Sequence, residues 1–211
     1  MSNDTAEHVN RYGLDTDDQK DLWGTFATDE RLWASKAAEL IYAADRLHGP
    51  PRRRRMHRNE GEAKFKVADH GRTLGVAMML YGMSLECLFK AIAAHNGHSF
   101  AEDDEDGEPE FKGLFNNSST NHNLVALSCH EKVRLDLSAE ELDLAKRLSP
   151  YIMWGGRYPV ATRWEKQFGE DMAWDYDHDY ELIHQLAARL YERLGVTLDD
   201  YGLAELPDQI F

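Results

Sequence analysis

The chain has 211 residues, a formal net charge of −14 and only two cysteines, Cys87 and Cys129. This length suits one well-buried domain and leaves little room for two. The acidic surplus opposes indiscriminate binding of nucleic acid by the whole surface, although a local basic patch can still act. Two thiols are too few for a disulfide scaffold and suit a reducing cytoplasm, the expected location.

Residues 1–15 are polar, lack the basic-then-apolar pattern of a signal peptide, and read as a flexible lead-in. A single domain is expected over 16–206. Thr16-Asp17-Asp18-Gln19 matches a capping box. It opens a helix with Leu22, Trp23, Phe26, Trp33, Ala37, Leu40, Ile41, Ala44 and Leu47 on one broad stripe, stopped by Gly49-Pro50-Pro51. The segment that follows is basic and without apolar period, so 49–62 reads as a mobile exposed loop.

Residues 65–96 predict the central helix and its approach. Leu74, Met78, Tyr81, Leu85, Leu88 and Ile92 recur at helical steps, and Met79, Leu80, Met83 and Cys87 cover neighbouring faces. A helix apolar nearly all round belongs inside a bundle. Glu86 and Lys90 interrupt it one turn apart, with the acid first, the favourable order for a helical ion pair. These charges, and the charged residues Asp69, His70 and Arg72 before them, mark a core helix and not a membrane span. Gly75, Gly82 and Ser84 would let other backbones approach closely. Asn96-Gly97 supplies the stop.

The stretch AEDDEDGEPE reads as an acidic linker that buries nothing, within a second mobile loop over 101–120. A short helix is predicted from His122 to about Val133. Ser138-Ala139-Glu140-Glu141 is a second capping box, and Pro150 should bend the helix it opens. Asp177 or Asp179 caps a last helix that ends at Gly195. No segment alternates convincingly with period two, so the expected fold is all-α, an up-and-down bundle of about five main helices.

Several polar groups carry candidate chemistry. Glu86 and Lys90 read either as a polar pocket or as a structural network with Arg157 or His122 as third member. His122 and Asn121 stand at a helix start, where they can supply a base or cap the helix. Arg157, in a turn with Tyr158, can present its planar fork to a phosphate or clamp free helix carbonyls. Arg52, Arg53, Arg54, Arg55 and Arg58, with His57 among them, would bind phosphates in a salt-sensitive way or form a solvated loop. Asp175, Asp177, His178, Asp179 and Glu181 read as negative charge at a helix N-terminus, and their spacing does not fit a calcium loop. No metal or cofactor is expected. His95, His98, His122 and His130 lack the close fixed spacing of zinc ligands, and no phosphate-cradling glycine loop or nucleophile elbow occurs.

Three pieces in order, GMSLECLFKAI (82–92), HNLVAL (122–127) and GGRYPV (155–160 with its leading glycine), resemble HEPN-like helical domains of prokaryotes. The resemblance spans roughly residues 20–195. It implies a commonly homodimeric bundle linked to toxin–antitoxin or phage-defence systems, with RNA, a nucleotide or a protein encoded nearby as partner. Many such proteins cut RNA without a metal through an Arg-x4-6-His motif near a late helix. Here Arg147, Arg157 and Arg163 lack that histidine, and the formal match is Arg52 to His57 in the basic loop. The resemblance therefore implies a non-catalytic binding module first, and a metal-independent ribonuclease second. In the latter, His57 or His122 would be the base and Arg157 the cation.

Overall fold

The computed structural model describes residues 16–48, 63–155 and 176–196. Helix α1 spans Thr16–Thr28, α2 Glu30–His48 and α3 Ala63–His95. A short antiparallel pair follows, β1 (Ala101–Asp103) and β2 (Pro109–Phe111). After a 3-10 turn at Thr120–His122 come α4 (Leu124–Cys129), α5 (Ala139–Pro150), a π turn (Tyr151–Gly155) and α6 (Tyr176–Arg193). The described residues are thus mostly helical, with one two-stranded sheet among them.

Helix α3 is the axis. Tyr81, Leu85, Leu88, Phe89 and Ile92 are almost wholly buried. Its stretch Thr73–His95 is long and apolar enough to cross a membrane, but most of it is enclosed by the other elements. Helix α2 lies against it. Ala34, Ala37, Ala38 and Ala44 are buried there with Ile41, because small side chains let two helix axes come close. At Gly82 an added Cβ would lie 2.7 Å from Cγ1 of Ile152 in the π turn, so the expected close approach is real at this position.

Helix ends follow local chemistry. Asp29 accepts the backbone N–H of Arg31 through Oδ1 at 2.8 Å and caps α2. This cap splits the single helix expected from residue 16 into α1 and α2. Trp33 spans the break, donating Nε1–H to the carbonyl of Ala27, one of the end carbonyls a helix leaves open. Helix α1 already includes Thr16, so its expected cap falls one residue inside the helix. At the end of α3, Gly97 takes φ +78° and a Schellman pair forms, Gly97 N–H to Ala94 O and His98 N–H to Ala93 O. Gly195 closes α6 in the same way. The capping box of α5 is complete: Ser138 Oγ accepts from Glu141 N–H, and the Glu141 side chain accepts from Ser138 N–H. Pro150 ends α5, and the chain continues as the wider π turn.

Three further expectations are corrected. The acidic stretch is not a featureless linker but a hairpin, with Ala101 opposite Phe111. Its turn forms because Asp104 Oδ1 accepts the N–H groups of Asp106 and Glu108, and Gly107 takes φ +78°. Helix α4 is shorter than expected and starts after His122. Asn123 is its cap, accepting from Ala126 N–H, and His122 stays in the preceding 3-10 turn. Asp177 and Asp179 lie inside α6 and do not precede it. Asp179 is fully buried and accepts from the two terminal guanidinium nitrogens of Arg147, joining α6 to α5.

The packing at Gly82 gives a direct prediction. Gly82→Ala should destabilise the protein by about 1–3 kcal/mol, as overpacking does in well-filled cores. Urea unfolding should show a lower midpoint with an unchanged slope. An unchanged midpoint would mean that Ile152 moves away freely.

Candidate functional site

One polar cluster is built into the middle of α3. Glu86 and Lys90 are both buried, with side chains 9% and 8% exposed. Lys90 Nζ donates to Glu86 Oε1 at 2.6 Å, the i,i+4 pair expected on one helix face. His122 arrives from the 3-10 turn and sets Nδ1 3.0 Å from Glu86 Oε2 and 3.2 Å from Oε1. Its side chain is 41% exposed. His122 is thus brought to the pair, and it does not cap α4. Arg157, Tyr158, His57, Arg52, Arg53, Arg54 and Arg55 lie outside the described residues.

The His122 position is fixed from both sides in sequence. Asn121 holds the loop before it, with Nδ2 donating to the Phe115 carbonyl and Oδ1 accepting the Phe115 N–H. Behind it, Leu124 N–H donates to Ser149 Oγ, tying the start of α4 to α5. The imidazole thus sits on a braced turn, not on a free loop.

The electrostatics follow from burial. Enclosure pushes the Glu86 carboxyl upward, but the hydrogen bond from His122 and the charge and hydrogen bond of Lys90 outweigh it. The carboxyl ends below its ordinary value and is ionised. A carboxylate can only accept, so Nδ1 carries the proton and Nε2 is the ring nitrogen left for solvent or ligand. The Lys90 ammonium has aromatic faces as well, with the Trp33 ring centre at 5.2 Å and the Phe111 ring centre at 5.8 Å. Nearby, burial drives the Cys87 thiol up to about 12, so it is an inert thiol.

A second carboxylate–histidine pair was not legible as a site. Asp45 of α2 is buried. Its Oδ1 accepts from the Tyr81 hydroxyl at 2.6 Å and lies 3.1 Å from His184 Nε2 of α6. The Tyr180 ring stands 4.4 Å from that imidazole. The available signal was a lone acid, Asp45, directly beside Ala44 on the apolar stripe of α2. A third cluster surrounds His98, whose Nε2 is a buried atom without a partner among the described residues. Phe100 and His130 flank it edge-on, and enclosure lowers its pKa. Among the described residues no group of three or more His, Cys, Asp or Glu side chains could hold a metal ion.

Chemically, the Glu86–Lys90–His122 cluster holds one imidazole in a set tautomer over a neutralised carboxylate. It can present a hydrogen-bonding nitrogen to a ligand, or move a proton at Nε2. No family model, curated protein or solved structure matches this chain.

Removing the carboxylate should be costly. Glu86→Ala leaves the Lys90 ammonium buried without its acid, and should lower stability by about 3 kcal/mol or more. The folded pKa of Glu86 is depressed, so its contribution is present above the unfolded value near 4.5 and is lost as pH falls through the folded value. The melting-temperature gap between wild type and Glu86→Gln should therefore be flat at neutral pH and narrow in acid below about 4.5. A gap that stays constant through that range would show that Glu86 titrates alike in both states.

Proposed function

We propose that this chain is a HEPN-like helical binding module, homodimeric and cytoplasmic, of a prokaryotic defence or toxin–antitoxin system, and that it binds RNA or a nucleotide without turning it over. The observation that carries this reading is the His122 imidazole, 41% exposed, held through Nδ1 by a carboxylate that is itself 9% exposed. Lys90 alone would already neutralise Glu86. The additional, solvent-facing histidine is what a ligand site needs and a purely structural pair does not.

The distribution of cations supports a phosphate-bearing ligand away from most of the described surface. Arg147 is engaged by Asp179 and Asp143, Arg189 by Glu141, and Arg193 by the carbonyls of Val133 and Arg134. The sequence gathers five arginines over 52–58, in a chain otherwise strongly acidic. Phosphate contacts from that segment would be salt-sensitive, and a contact at His122 Nε2 would add a hydrogen bond.

A second reading, a metal-independent endoribonuclease, is favoured by the same histidine. A carboxylate behind Nδ1 with Nε2 open is the arrangement of a general base that could take the proton of a ribose 2′-hydroxyl. The arginine–histidine pair of the catalytic relatives is missing at its usual place, which ranks this reading second.

Two assays on one preparation separate them. Labelled single-stranded RNA and nucleotides are titrated at low salt by fluorescence anisotropy, and total RNA is incubated with the protein in EDTA. The binding module predicts affinity that falls with salt, weakens roughly tenfold in His122→Ala, and leaves the RNA intact. Cleavage in EDTA that disappears in His122→Ala would install the ribonuclease instead. Absence of both binding and cleavage, with only a protein partner retained, would remove RNA and nucleotide from the reading.

A further inference from the structure

The β1–β2 hairpin stands against the very group an anionic ligand would seek. Phe111, at its end, has a ring centre 5.8 Å from Lys90 Nζ while remaining 43% exposed on its other side. Its inner face stacks on Phe100 at 5.6 Å, nearly parallel, and Phe100 is fully buried against Trp33. Two aromatic rings, Trp33 and Phe111, thus close off an ammonium that is 8% exposed.

The rest of the hairpin lies against α1 and is largely exposed. Glu102, Asp103, Asp104, Glu105, Asp106, Glu108 and Glu110 are all exposed. A two-stranded ribbon of this size is marginal by itself. Beyond its aromatic end, a side-chain strap to α1 is Lys20 Nζ to Glu108 at 2.7 Å, an exposed pair that contributes little and is screened by salt. The seven exposed carboxylates of the hairpin repel a phosphate that approaches it, so the hairpin disfavours an anion by charge as well as by shape.

We infer that the hairpin over 101–111 is an autoinhibitory cover, which withholds Lys90 and repels polyanions until it swings away from the Glu86–Lys90–His122 cluster. The inference rests on the RNA-or-nucleotide reading and deepens it. With the hairpin displaced, the Lys90 ammonium, still paired with Glu86, becomes reachable by a phosphate beside the His122 imidazole. The exposed Lys20–Glu108 strap makes the opening easier as ionic strength rises.

Two variants and two readouts test it. Phe111→Ala removes the ring over Lys90. A combined Glu102→Gln, Asp103→Asn, Glu105→Gln and Asp106→Asn variant removes charge but keeps Asp104, which shapes the turn, Glu108, which makes the strap, and every aromatic contact. Acetylation of Lys90 by an amine-reactive ester is followed by peptide mass spectrometry without RNA, and affinity for a short single-stranded RNA is followed by anisotropy. Lys90 labelling should rise several-fold in Phe111→Ala, and the amide variant should bind RNA roughly tenfold more tightly at low salt. Circular dichroism of both variants confirms that they remain helical, and the amide variant stands in if Phe111→Ala unfolds. Lys90 labelling equal to wild type, with equal RNA affinity in all forms, overturns the cover while leaving the ligand reading in place. Increased labelling with no RNA binding by any form removes the ligand reading and the inhibitory role with it.

Discussion

A carboxylate buried in the middle of the central helix is the constraint around which this protein is arranged. Glu86 stands on α3 between turns that bury Tyr81, Leu85, Phe89 and Ile92. An ionised carboxyl in such a place is strongly unfavourable unless it is both paired and hydrogen-bonded. Lys90 supplies the charge one turn away. His122 adds a second donor from 36 positions further on, and the helix after it starts at Leu124 and not at His122. The 3-10 turn at 120–122 keeps the imidazole facing α3, and Asn123 then caps α4.

The same demand reaches the elements that carry no charge. Lys90 must be shielded if it is to stay paired with Glu86, and the rings of Trp33 and Phe111 do so from α2 and from the hairpin. Trp33 is in turn anchored across the α1–α2 break by its bond to Ala27. A change in the middle of α3 is therefore felt in three separate stretches of chain. One turn before Glu86, on the same side of α3, the packing works by shape. There Gly82 admits Ile152, and the π turn after Pro150 brings that side chain into place.

How much of this was legible depends on the range of the interaction. The Glu86–Lys90 pair, the capping box at Ser138 and the glycine stops at Gly97 and Gly195 are local events, set within a few residues, and sequence spacing reveals them. So does the burial of α3, since its apolar period has no other use. The break at Asp29 is also local, but the apolar stripe runs across it unbroken and hides it. The acidic hairpin was missed because its composition is that of a solvated linker. What folds it is the Asp104 turn and two phenylalanines, Phe100 and Phe111, that meet only in three dimensions. Asp45 and His184, 139 positions apart, join through tertiary packing, and neither shows any pairing signal in its own neighbourhood. Arg147 and Asp179 are missed for the same reason.

The two buried carboxylates also differ in a way that decides which histidine can serve a ligand. Glu86 has a lysine, so its charge is balanced before His122 is counted, and the imidazole adds a hydrogen bond without being needed as the counter-charge. Asp45 is met, among the described residues, by the Tyr81 hydroxyl and His184. The hydroxyl is a neutral donor, and among the described residues His184 is the other group at the carboxyl. Its Nε2 is committed to Asp45, and the Tyr180 ring lies 4.4 Å from the imidazole, which is 32% exposed. Withdrawing His184 toward a ligand would leave a buried carboxylate with a single neutral donor, a strongly unfavourable state. Turning His122 toward a ligand leaves Glu86 still paired with Lys90. The neutralising lysine thus separates a histidine that can act outward from one that must remain part of the frame.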